Sequence, residues 1–147
     1  MKNVQRHWIA IGLTVVALVA VGIYVLTRPS GQEKDCATVA ALNNYNKQFH
    51  DEVASPEHGP TDVGEYRQWA GELHRYAADI NNPTLRAKAD TVTGLADQYV
   101  ALLPALQADL PPDNATQLPA SAPWQEGSRI GGQFNGAVLA LAQACPR

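Results

Sequence analysis

The chain lacks most of the patterns that carry chemistry. The two cysteines, Cys36 and Cys145, do not have the spacing of a Cys/His zinc framework, and no C-x-x-C-H haem attachment is present. His50, His58 and His74 include no pair four residues apart, and H-E-x-x-H is missing. A phosphate-cradling glycine loop and a G-x-S-x-G elbow are also absent. Ser30, Ser55, Ser121 and Ser128 neighbour no histidine in sequence. Strand-type alternation of useful length does not occur, nor does an internal repeat. Basic charge is scarce where it would matter. Beyond residue 29 the chain holds all 14 acidic residues but only 8 of the 11 Lys and Arg, a formal charge of −6. That balance argues against nucleic acid and against docking on anionic lipid. The expectation is therefore a non-enzymatic protein with no metal and no cofactor.

One absence is decisive in a positive sense. No charged residue falls between Trp8 and Leu26, a run of 19 residues. As a helix it spans roughly 28 Å, about the thickness of a bilayer's hydrocarbon core. Backbone groups in hydrocarbon must be satisfied internally, so a lone run of this length reads as a transmembrane helix. Lys2, Arg6 and the terminal amine precede it and Arg28 and Lys34 follow it; the Lys/Arg counts are close and the amine tips the balance, which places the N-terminus in the cytoplasm and the remainder outside. Trp8 and Tyr24 suit the two interfaces. A cleaved leader is the rival reading. The run is longer than the 7–15 apolar residues of such a leader, and Val25-Leu26-Thr27-Arg28-Pro29 offers no small-x-small site. Both readings export the remaining domain. The organisation expected is a cytoplasmic N-terminus and anchor over 1–27, a linker over 28–34 and an extracytoplasmic helical domain over 35–147, on a single-pass protein of the plasma membrane.

The two cysteines, Cys36 and Cys145, open and close the exported part. In an oxidising compartment such a pair reads as a disulfide.

Four helical patterns lie in this part, divided by Pro, Gly and Asn clusters. The first spans about Asp35–Ala54, with Leu42, Tyr45, Phe49 and Val53 at helical steps and Asp35 as its expected N-cap. Ser55-Pro56-Glu57-His58-Gly59-Pro60 stops it. The second, capped by Thr61 or Asp62, carries Val63, Tyr66, Ala70, Leu73, Ala77 and Ile80 and ends at Asn81-Asn82-Pro83. Glu65, Glu72 and Asp79 share another stripe of it and read as solvated, Arg75 being placed to pair with Glu72. The third shows Leu85, Val92, Leu95, Tyr99, Leu102 and Leu106, with a kink or break expected near Leu103 because Pro104 removes a backbone bond. Asp113–Ala122 reads as a loop, and its Asn114-Ala115-Thr116 as an unmodified stretch despite matching a glycosylation pattern. The fourth begins between Pro123 and Ser128 and carries Ile130, Phe134, Val138 and Leu141.

The fold expected is all-α: a transmembrane helix followed by an up-and-down four-helix bundle closed by the Cys36–Cys145 disulfide. Helix parity supports the bridge. Four antiparallel helices bring the start of the first and the end of the last to one end of the bundle.

Two functions fit this organisation. The first is an accessory or interaction protein of a cell-envelope or membrane-protein complex. Its expected partner-binding residues are Trp124, Gly127, Gly131 and Phe134, because glycines at four-residue spacing on the fourth helix admit a close-packed neighbour. Packing within the domain is the plainer reading of those glycines. The alternative is a binding module for an apolar or lipid-like ligand held between helices, with Trp69, Leu73, Tyr76, Tyr99 and Leu103 as lining residues. An enclosed apolar cavity of several hundred Å³ is the feature expected to distinguish it.

Trp69-Ala70-Gly71 resembles the W-x-G turn of small secreted helical hairpins, but it falls inside the second helical pattern and is read as helix interior. In overall organisation the chain is similar to small, Ala-rich, single-pass exported cell-envelope proteins of actinobacteria, including mycobacteria. That resemblance involves no specific motif and implies residence in the cell envelope.

Overall fold

A computed structural model describes residues 31–55, 62–110 and 121–145. They form four helices: α1 (Gly31–Val53), α2 (Val63–Ala78), α3 (Pro83–Ala108) and α4 (Ala122–Gln143). The apolar run 8–26 lies outside the described residues, as do most of the first interhelical turn and the Asn114-Ala115-Thr116 stretch. Among the described residues no helix is long and apolar enough to cross a membrane.

Contacts between helix ends establish the up-and-down route. Phe49, late in α1, meets Tyr66, early in α2, at 4.9 Å between ring centroids. Arg86, early in α3, donates from its guanidinium to the Ala78 carbonyl at the end of α2. Trp124, at the start of α4, donates its indole N–H to the Asp109 carbonyl just past α3, at 3.1 Å. Cys36 and Cys145 are joined as a disulfide, with Cα atoms 5.5 Å apart. The bridge therefore ties the first turns of α1 to the end of α4, as the parity of four helices requires. Of the four seams between neighbouring helices, α3–α4 is the most extensive and α1–α4 the least.

Each helix forms for local reasons. Asp62 caps α2, its carboxylate accepting from the Gly64 N–H at 2.8 Å. Asn82 caps α3, accepting from the Thr84 and Leu85 N–H groups, with Pro83 in the first turn where its missing donor costs nothing. Along α3 the buried positions Leu85, Ala89, Val92, Ala96, Leu103 and Leu106 keep alternate steps of four and three through Tyr99. Pro104 does not break this helix. Its ring is exposed, and Leu103 and Leu106, 3% and 7% exposed, hold the last turns against the core. Trp69, Ala70 and Gly71 lie inside α2.

Asp35 does not cap α1. The helix starts four residues earlier, at Gly31, and Asp35 is 3% exposed inside it. Its carboxylate reaches across the bundle and accepts the Asn81 N–H at 3.0 Å and the Asn82 N–H at 2.8 Å. One side chain of α1 thus satisfies two backbone donors of the tight α2–α3 turn. The Asn81 N–H is the chief cause holding the Asp35 carboxyl below its ordinary value; burial pushes the other way and the Asn82 N–H adds to the lowering. A carboxyl lowered in the fold stabilises it above the unfolded value and loses that contribution as pH falls through the folded one. Asp35→Asn is expected to unfold at a lower temperature at neutral pH and to show a shallower further decline between about pH 4 and pH 2 than the wild type. Melting curves across that range check this; identical acid-side slopes contradict it.

Candidate functional site

The half of the bundle away from the disulfide gathers the aromatic residues. His50 lies 14 residues beyond Cys36 on α1, roughly 21 Å along the helix. Trp69 of α2 is the centre of this cluster. It is 2% exposed, and its indole N–H donates to the buried Asn46 Oδ1 at 3.1 Å. Phe49 stacks on it at 5.3 Å with planes only 14° apart. Phe134 of α4 stands 5.4 Å away at a tilt. Tyr66 meets both Trp69 and Tyr99, at 5.9 and 5.8 Å. These separations are those of favourable ring pairs.

Between the rings lies a cavity of about 150 Å³ lined by His50, Trp69, Tyr99, Ile130, Gly131, Phe134 and Asn135. All four helices contribute. The His50 ring presents an edge-type contact to Trp69 at 5.7 Å and to Phe134 at 6.3 Å. Partial desolvation pushes the His50 imidazole below its ordinary value, with Asp51 opposing in part, which favours the neutral ring at pH 7 although the residue keeps an exposed edge. Burial raises the Tyr99 phenol, which stays protonated. No lining residue carries a fixed charge. No serine, cysteine or carboxylate faces the cavity either, so the arrangement can hold a molecule but offers no nucleophile beside its histidine.

Other hollows differ in character. One of about 270 Å³ between α1 and α2 is rimmed by Glu52, Glu65, Gln48 and Gln68. Among the described residues no group of three or more His, Cys, Asp or Glu could hold a metal ion.

The structure divides the residues expected for ligand binding. Trp69 and Tyr99 line the cavity. Leu73 and Leu103 are core, 0% and 3% exposed. Tyr76 is half-buried against Tyr45 and beneath the Arg75 guanidinium, which sits 4.6 Å above its ring. The partner-binding set separates as well. Gly131 and Phe134 belong to the cavity. A Cβ on Gly127 would make ordinary contact with the Leu102 and Leu106 side chains of α3 at 3.5–3.6 Å, so this position faces α3 within the domain. Trp124 is half-buried and held by its bond to Asp109. His50, Ile130 and Asn135 are cavity residues that neither expectation included. The sequence carried one signal for His50: it stands one helical turn beyond Asn46 and beside Phe49, at the edge of the buried stripe of α1.

No protein-family model matches the chain, and neither a curated protein nor a solved structure is significantly similar to it.

Proposed function

We propose that this protein is a membrane-anchored, extracytoplasmic accessory protein without catalytic activity, serving a cell-envelope or membrane-protein complex. The observation that carries the reading is the Cys36–Cys145 disulfide. Such a bond persists where thiols are oxidised, and it closes a domain that comes directly after an uncharged run of membrane-spanning length. The acidic surface favours solubility beside the membrane over adhesion to anionic lipid. The uncharged run supports the tether, and the terminal amine, beside Lys2 and Arg6, supports its direction.

Fusions at the C-terminus test the topology. A phosphatase reporter that folds only under oxidising conditions is expected to be active there, and a cytoplasm-dependent fluorescent reporter dark. The reverse pattern overturns the reading. The accessory role predicts recovery of the tagged full-length protein with stoichiometric membrane-protein partners in mild detergent. Recovery as a lone monomer counts against it.

A second reading, an apolar-ligand module, is favoured by the ring-walled cavity. It is compatible with the same tether.

A further inference from the structure

We infer that the cavity bounded by His50, Trp69, Phe134 and Gly131 is a binding site for one neutral, six-membered aromatic ring bearing a hydroxyl group. This assignment rests on the apolar-ligand reading and narrows it to a chemical class.

Size comes first. A volume of about 150 Å³ matches an apolar cavity that takes up a single benzene ring. Sites for drug-sized molecules begin near 300 Å³, so the cavity seats one ring and leaves a long acyl chain or a fused polycycle largely outside it. A lipid-like ligand calls for several hundred Å³, and the smaller space redirects the assignment from lipid to a single ring.

The walls then favour an aromatic guest over an alkyl one of equal size. His50, Trp69 and Phe134 form a triangle of rings with sides of 5.4, 5.7 and 6.3 Å. A guest ring entering beside them gains edge-to-face contacts that an alkyl chain cannot make.

Gly131 supplies an independent observation. A glycine inside a helix weakens it relative to alanine, and close packing is the usual compensation. Here a Cβ built on Gly131 meets no atom within 4 Å, as at Gly132 and Gly136 of the same helix, and of these three Gly131 alone lines the cavity. Packing within the described residues does not require the glycine. What its missing side chain leaves is open space at the cavity wall, with Ile130 buried beside it.

The open side sets the polar requirement. His50 and Asn135 are both exposed there, and a neutral imidazole and an amide each offer a donor and an acceptor. One hydroxyl on the guest ring can meet them. A carboxylate on the ring finds no cation in the lining and faces an acidic domain.

The test uses the full-length, oxidised protein in mild detergent, with the Trp69 indole N–H resonance as the reporter and phenol, toluene, n-hexanol and benzoate as probes. Phenol is expected to shift the resonance saturably, toluene to bind about threefold or more weakly, and n-hexanol and benzoate to give no saturable shift. Gly131→Leu fills the space and is expected to weaken phenol binding about tenfold or more while unfolding at the same or a higher temperature. If that variant fails to fold, Gly131→Ala, whose added carbon has room, is expected to show a smaller loss in the same direction. Phenol binding unchanged in the variant that folds overturns the site. Toluene matching phenol removes the hydroxyl from the assignment. Saturation by n-hexanol comparable to phenol overturns the ring inference while the apolar-ligand reading survives. No saturation by any probe removes both.

Discussion

Reduction of the Cys36–Cys145 bridge is expected to lower the unfolding free energy by about 4–5 kcal/mol, and the melting temperature by about 15–20 °C. The reason lies in the unfolded chain. The cysteines are 109 residues apart in sequence, so the bond removes the loop-closure entropy of nearly the whole domain. The folded state, by contrast, already holds their Cα atoms 5.5 Å apart, within the ordinary range for disulfides. The α1–α4 seam that the bond spans is also the least extensive of the four between neighbouring helices, so few other contacts replace it. Denaturant and thermal unfolding of the full chain with and without reductant, alongside Cys36→Ser/Cys145→Ser, measures the effect. A shift of less than about 1 kcal/mol would show that packing alone closes the bundle.

Trp69→Ala is expected to cost about 3–5 kcal/mol. The indole is 2% exposed and contacts rings from α1, α2 and α4. Its removal creates a cavity and leaves Asn46 without its donor. The two causes can be separated. Trp69→Phe keeps much of the apolar bulk but orphans the buried Asn46 Oδ1, at a cost of about 1–3 kcal/mol. Adding Asn46→Leu removes the stranded acceptor and is expected to recover part of that loss. Urea unfolding of the three variants checks the ordering. A double variant less stable than Trp69→Phe alone would contradict the account.

Much of the bundle could be read from spacing alone. Turn residues are local signals: Asp62, Asn82 and Pro83 cap and start helices where the sequence places them, and Asn81-Asn82-Pro83 ends α2. The disulfide followed from the positions of the only two cysteines once four helices were counted. Misreadings arose where the deciding partner lies far along the chain. Asp35 has the chemistry of an N-cap, but the donors it serves belong to Asn81 and Asn82, 46 and 47 residues away. In α3 the large residues Leu95 and Leu102 stand out in the sequence, while the buried line runs through Ala89 and Ala96, whose small size lets the neighbouring helices approach. At Pro104, where the sequence predicts a kink or break, the helix is unbroken and runs on to Ala108, with Leu103 and Leu106 buried on either side of the proline. The cavity was the least legible feature. Trp69 and Tyr99 were visible as aromatics, but a void is defined by what Gly131 fails to fill among side chains of four separate helices.

The Cys36–Cys145 link also decides how the domain responds to mechanical tension. A pull applied to the chain before Cys36 and after Cys145 runs from sulfur to sulfur and bypasses the residues between them. Beyond the first turns of α1, the helices carry none of that load. Stretching force along the polypeptide would leave the Trp69 cavity undistorted for as long as the two thiols remain oxidised, so oxidation of this one pair acts as a mechanical fuse.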